Sequence, residues 1–324
     1  MSAAVKLLQI VPTFGLRCGL AVLAKALGEQ LARAQIESTF AATLPHRHDA
    51  EVVLLWFHSD LLDPDDVRSL RAATDRPLAL FVHSAGAESA MDAVDGVLSM
   101  SPGLVPEGAP SPHVFPHPAT PQPLQDRSVL RRRFGLPTDV RVLGTCGFLR
   151  LERQFDEVAA RLAPVADEAG WFIHIMSSPW YQESPGVLER LGQIQRRHPT
   201  SFGFECRHLD EAELILRMQA CDLVWCWTSA PSSPYASGVV ATQHASGTRL
   251  VAADKLQHEL VLGRPNVVRA PATLGEFLTV LTSEAASARL ERHDPSLISW
   301  ERVLPGIADW LGRLALSPTR AGTG

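Results

Sequence analysis

Residues 227–247 read WTSAPSSPYASGVVATQHASG. Just ahead of them Asp222–Trp227 (DLVWCW) is a short apolar run, the pattern of a buried strand, and just behind them Thr248–Ala252 (TRLVA) is another. Between the two, a loop of small and turn-forming residues delivers Ser237-Gly238 to an Ala-rich helix that runs out at Ser246-Gly247. Strand, small-residue loop and helix N-terminus together suit a phosphate. Glycine lets the backbone come close, the first turn offers N–H groups with no partner in the helix, and the helix dipole favours negative charge. Many α/β proteins use Ser-Gly only to start a helix, so the rest of the chain has to decide.

Working outward, short apolar runs alternate with helix-period segments. In the first part the expected strands are Val5–Val11, Val52–Phe57, Leu78–Val82, Gly96–Met100 and His113–Phe115. A helix over Gly19–Ala34 places Leu20, Leu23, Leu27 and Leu31 on one side, and a second runs from about Asp65 to Ala73. The Pro-rich stretch PHPATPQP (116–123) can continue neither strand nor helix and reads as an interdomain linker. Strands then resume at Val140–Cys146, Trp171–Met176, Ser201–Phe204, Leu223–Trp227, Arg249–Ala252 and Asn266–Arg269, separated by helices near 151–168, 185–197, 210–220, 239–245 and 255–262. Alternation in both halves predicts two parallel-sheet α/β domains. Ser299–Leu314 carries Trp300, Val303, Ile307, Trp310 and Leu314 at helical spacing; that stripe either closes the second domain or returns to the first.

The 324 residues, 46% of them hydrophobic, suffice for two ordinary cores, and the formal net charge of −5 disfavours a nucleic-acid or anionic-membrane binder. No apolar run reaches membrane-spanning length and the N-terminus reads at once as a strand, so a soluble cytoplasmic protein is expected. The cysteines Cys18, Cys146, Cys206, Cys221 and Cys226 show no paired framework and are expected as free thiols. Arg131-Arg132-Arg133 is expected on the solvated face of a helix. Neither half contains GxGxxG, and there is no GxSxG elbow and no HExxH, which disfavours a dinucleotide dehydrogenase and two hydrolase classes.

In GFLRLERQFDEV (147–158), Arg150 and Arg153 fall just past a strand's carboxyl end, where ligands of parallel sheets bind. They either grip a diphosphate or pair with Glu152, Asp156 or Glu157. His83 ends LALFVH and His58 follows VVLLWF, equivalent places on two strands, and His117 lies at the linker. A plain structural role is open for each histidine. His46, His48 and Asp49 lack the rest of a metal shell, and the other histidines show no ligand spacing. No metal site is expected.

In their order along the chain these segments resemble the family 4 glycosyltransferases, retaining enzymes of the GT-B fold, in which two Rossmann-like parallel-sheet domains face a cleft. Cys18-Gly19-Leu20-Ala21 is similar to that family's Gly-Gly-Ile-Ala; LFVHS to its strand-end histidine; VFPHP (114–118) to Ile-Pro-His-Gly; and GFLRLERQF to Gly-x-x-Arg-x-x-Lys-Gly. LDEAELILRMQACDLVWCW, SGVVATQHASGTRLVAAD and SWERVLPGIADWL resemble its pre-donor segment, phosphate-cradling helix and C-terminal crossover helix. The resemblance implies an N-terminal acceptor-binding domain (1–118), a nucleotide-sugar-binding domain (119–298) and a crossover helix (299–316) returning to the first. It implies a nucleoside diphosphate sugar as donor, a hydroxyl acceptor (saccharide, lipid carrier or natural product), and no required metal or other cofactor. It assigns donor binding to Gly19, Arg150, Arg153, Leu209, Tyr235, Ser237, Gly238 and Val239. Acceptor binding goes to His58, His83 and His117, and catalysis to His83 and Arg150. Two glutamates usual in the family, eight positions apart, align here with Pro234 and Thr242, and Arg153 replaces its lysine. A non-catalytic nucleotide-sugar-binding or partner subunit is therefore the rival reading. A sugar-nucleotide epimerase lacks a convincing carboxylate pair. Oligomeric state is silent in the sequence, and a homo-oligomer is compatible with it.

Overall fold

The computed structural model describes residues 5–14, 19–59, 61–83, 86–179, 185–231, 237–259, 261–287, 292–294 and 298–317. The chain divides into two compact units. One comprises Met1–His117 with Trp300–Gly324, the other Pro118–Ser233 with Ser237–Ser299.

The first unit is built on strands β1 (Val5–Ile10), β2 (Ile36–Ala41), β3 (Val52–Phe57), β4 (Leu78–Val82), β5 (Gly96–Ser99) and β6 (Pro112–Val114), with helices α1 (Gly19–Arg33) and α2 (Pro64–Ala73). All six strands run parallel, in the order β2-β1-β3-β4-β5-β6. Every residue of β3 and of β4 is buried, as expected where helices cover both faces of a parallel sheet. Leu20, Leu23, Leu27 and Leu31 of α1 face the core at the spacing the sequence predicted.

The second unit holds α3 (Arg127–Phe134), β7 (Arg141–Phe148), α4 (Phe155–Ala169), β8 (Trp171–Ser178), α5 (Pro185–Arg197), β9 (Phe202–Cys206), α6 (Glu211–Gln219), β10 (Leu223–Cys226), α7 (Gly238–Ala245), β11 (Arg249–Ala253), β12 (Val267–Ala270) and α8 (Leu274–Ala286). Its six strands are also parallel, ordered β12-β11-β10-β7-β8-β9. Two Rossmann-like parallel-sheet domains of the GT-B type are thus present.

The last helix, α9 (Trp300–Leu316), belongs to the first unit. Its Trp300, Val303, Ile307, Trp310, Leu311 and Leu314 join one core layer with α1, β1 and β3. Trp310 Nε1 donates to the Ser111 carbonyl at 2.7 Å, and its ring stacks on His113. At the two ends of the second unit, Ala119 and Ser299 form an isolated parallel β-bridge, and the Ala119 N–H donates to the Ile298 carbonyl at 3.0 Å. Ala119 and Ile298 pack on Ala241 and Ala245 of α7 and Ile215 of α6.

Four expectations change. β2 and α8 were not anticipated. Where a helix was expected over 255–262, the described residues hold a 3-10 turn, Leu256–His258. Arg131 is not solvated: it is buried, donates to the carbonyls of Ala220 (2.9 Å) and Val140 (3.0 Å), and pairs with Asp222. A buried guanidinium needs that full set of acceptors, and only Arg132 and Arg133 of the run are exposed.

Candidate functional site

Open parallel sheets bind ligands beyond the carboxyl ends of their strands, at the point where strand order reverses. In the second unit β7, β8 and β9 step one way and β10, β11 and β12 the other, so the reversal lies between β7 and β10. The segments leaving those two strands are stitched together across it. The Glu152 carbonyl accepts from the Ser229 amide at 2.7 Å and from Thr228 Oγ1 at 3.3 Å. Trp227 Nε1 donates to Gln154 Oε1 at 3.0 Å. Gln154 has φ 46°, a left-handed conformation that costs a non-glycine residue about 1 kcal/mol or more and that gathers at functional sites. Gly147 has φ 145°, a conformation that side-chain-bearing residues rarely adopt, and a Cβ there would be in ordinary contact with Val239 Cγ2 of α7 at 3.4 Å.

A third segment completes the frame. After β11, Lys255 Nζ donates to the Ala230 carbonyl at 3.0 Å and Gln257 Nε2 to the Pro231 carbonyl at 3.4 Å. The Gln257 carbonyl takes the Ser237 N–H at 3.1 Å. The Ser237 amide is thereby committed to the frame, and the α7 first turn is left to present Gly238 and Val239. Below it, buried Gln243 donates to the Trp225 carbonyl at 2.8 Å and to Thr145 Oγ1 at 3.2 Å, fixing α7 on β7 and β10.

The expected donor residues divide. Arg153 reaches the end of β10, where its Nη1 donates to the Trp227 carbonyl at 3.3 Å and to Cys226 Sγ at 3.6 Å. Arg150 is half-exposed and its guanidinium pairs with Glu152, the second of the two arrangements the spacing left open. Gly238 and Val239 open α7 beside Gly147. Leu209 is buried in the core layer that includes Val240 and Met176. Gly19, at the start of α1, belongs to the first unit, and a Cβ there would meet nothing within 4 Å. Tyr235 and Pro234 lie outside the described residues, as does Cys18. Thr242 turns its hydroxyl back to the Gly238 carbonyl at 3.0 Å.

In the first unit strand order reverses between β1 and β3. The register pairs Phe57 of β3 with Val82 of β4, so the next residues, His58 and His83, stand side by side at the carboxyl edge. Their rings stack with centroids 6.4 Å apart. Burial, with the His117 and His58 rings beside it, pushes His83 down to about 4. The three histidines named from the sequence thus gather at one place, and His83 is a neutral imidazole at physiological pH.

Sequence reasoning missed Glu152 as a backbone acceptor, Gln154, Lys255 and Gln257; Glu152 and Gln154 lie inside GFLRLERQF, where attention fell on the two arginines, and Lys255 and Gln257 belong to no motif. It also missed Cys226 and His258, taken as isolated residues. Among the described residues there is no group of three metal-ligating side chains, and no helix is long and apolar enough to cross a membrane.

No family model matches the chain, and a search of curated proteins finds no match. Solved structures do resemble it. Sucrose-phosphate synthase from Thermosynechococcus elongatus superposes with a TM-score of 0.74 at 13% identity, over 96% of this chain and 99% of that one. HepE from Anabaena, in complex with UDP and glucose, gives 0.69 at 14% identity over 95% and 100%. The α,α-trehalose-phosphate synthase of Burkholderia xenovorans, in complex with glucose-6-phosphate, gives 0.59 at 10% identity over 92% and 77%. At such identities the likeness is one of fold.

Proposed function

We propose that the protein is a glycosyltransferase resembling family 4, moving a sugar from a nucleoside diphosphate donor to an acceptor hydroxyl with retention of configuration. The observation that carries the reading is the stitched frame across the β7–β10 reversal, which sets the open first turn of α7 beside Gly147 with Arg153 at the end of β10. A leaving diphosphate gathers negative charge. Preorganised N–H groups and guanidiniums stabilise that charge without reorganising at the moment of reaction. Gly238, Val239 and Arg153 supply the donors, and Arg150 joins them by exchanging Glu152 for phosphate oxygens, which fit the guanidinium fork equally well. Positive charge of this kind is the basis for a metal-independent reaction. UDP in HepE and UDP-forming activity in the trehalose-phosphate synthase family of structures favour UDP as the first nucleotide to test.

The first unit takes the acceptor. Neutral His83, flanked by His58 and His117, orients a hydroxyl by hydrogen bonding rather than by charge. Residues 1–118 form the acceptor domain, 119–298 the donor domain, and 299–316 the returning helix.

A second reading rests on the missing glutamate pair. The first of the two, which touches the donor sugar in the family this chain resembles, aligns with Pro234; at the second position the Thr242 hydroxyl is spent on the Gly238 carbonyl, and the chain would be a nucleotide-sugar-binding subunit without turnover. Calorimetry with UDP, GDP and dTDP followed by a donor-hydrolysis assay separates the two. Binding with hydrolysis or transfer supports the enzyme, binding alone the subunit, and absence of binding overturns both.

A further inference from the structure

Cys226 closes β10 and is fully buried, yet its sulfur meets two polar groups from two other segments. Arg153 Nη1, from the turn after β7, lies at 3.6 Å, and His258 Nε2, from the turn after β11, at 3.5 Å. The opposite face of the His258 ring fixes its tautomer. Nδ1 sits 2.8 Å from the Ala253 carbonyl, and a carbonyl only accepts, so Nδ1 carries a proton and Nε2 is the basic nitrogen turned toward the thiol. His258 is itself fully buried and has that carbonyl and that sulfur as its partners.

We infer that the Cys226 proton resides on His258 Nε2, and that the resulting thiolate holds the Arg153 guanidinium in place at the end of β10. This makes Cys226 a positioning residue for the anion site, and it rests on the donor reading only in what Arg153 is held there to do. The step is a proton transfer from Sγ to Nε2, with no redox change and no leaving group. A neutral thiol is a weak acceptor for a guanidinium, whereas a thiolate is a charge-assisted one. Burial by itself opposes the thiolate, and the neighbouring His258 and Arg153 overcome it and draw Cys226 below the ordinary thiol range. Among the described residues a further titratable neighbour is Cys146 on β7, whose thiol is pushed up to about 12 by burial and by Cys226, so it stays protonated. Lys255, next to the His258 turn, is directed to the Ala230 carbonyl. The arrangement is a relay. The turns after β7 and β11 are both anchored on one sulfur, and the latter turn also anchors the α7 N-terminus through Gln257.

The test is a pH titration of thiolate ultraviolet absorbance on the full-length protein, taken as wild type minus C226A, with C226S as an isosteric control. One thiolate is expected, with a midpoint well below the usual cysteine value of about 8.5. R153Q should raise that midpoint by removing one of its two stabilising partners. UDP titrated by calorimetry should bind C226A about tenfold more weakly, and C226S, which retains an acceptor, less affected. Absence of a thiolate at neutral pH, or an R153Q midpoint equal to that of wild type, overturns the inference. A wild type that titrates as expected but does not bind UDP overturns the donor reading and leaves the thiolate pair standing.

Discussion

The rings of His58 and His83 lie 18° from parallel with 6.4 Å between their centroids, each at the carboxyl end of its strand. Burial and the two flanking imidazoles, His117 and His58, hold His83 down at about 4. It therefore remains uncharged through the neutral range and titrates only in acid. In a donor-hydrolysis or transfer assay, H83N should lower turnover about 100-fold. The wild-type kcat/KM profile should show no limb near pH 6.5 that vanishes in H83N. Such a limb would mean that His83 works as a cation.

Arg150 and Arg153 should separate in their effects. Arg150 is half-exposed and its ion pair is with Glu152 beside it, so R150A should leave the melting temperature nearly unchanged and remove most turnover. Arg153 is anchored at the end of β10, so R153A should also raise the UDP dissociation constant, by about tenfold. Parallel thermal melts, calorimetry and rate assays on both variants check this. Full turnover in a correctly folded R150A would remove Arg150 from the mechanism.

Acid should destabilise the fold through buried neutral histidines. Burial holds His174 at about 4 and His244 at about 3, against about 6.5 for an exposed imidazole. Above pH 6.5 both folded and unfolded states carry the neutral ring. As pH falls below that value, the unfolded chain binds protons that the folded chain refuses, and stability declines until the folded values are reached. Between pH 7 and pH 5 each such histidine should remove about 1–2 kcal/mol. Urea midpoints at the two pH values, compared between wild type and H174Q, measure it; an equal decline in both would remove His174 from the account.

Gly96 marks where α9 seats. A Cβ there would come within 2.9 Å of Trp310 Cζ2 and 3.0 Å of Leu314 Cδ1, both inside the core of the first unit. G96A should cost about 1–3 kcal/mol, and W310L introduced alongside should recover part of it by making room. Chemical denaturation of the single and double variants reads the coupling.

Most of this architecture was legible because fully buried parallel strands are continuous apolar runs. VVLLWF and LALFV need no context to be recognised. The edge strand β2 escaped because IESTFA is half polar, having one side of its ladder open to solvent. Arg131 was misread because two of its acceptors, the Ala220 carbonyl and Asp222, come from a segment about ninety residues away. The same reason hid the frame around α7. Its bonds run between backbone carbonyls and ordinary side chains on three separate loops, and residue types at local spacings carry no trace of them. The histidines at the strand ends were readable because adjacency in a parallel sheet follows from where each strand stops.

The pairing of Ala119 with Ser299 has a topological consequence. The first and last residues of the second unit meet where Ala119 pairs with Ser299, and Ala119 and Ile298 pack on Ala241 and Ala245 of α7. Residues 118–299 are therefore a contiguous cassette with joined ends, the arrangement in which a segment can be swapped between host proteins without rethreading either. Wholesale exchange of this cassette, with α9 left attached to its own host, is a route to new variants that point substitution does not offer.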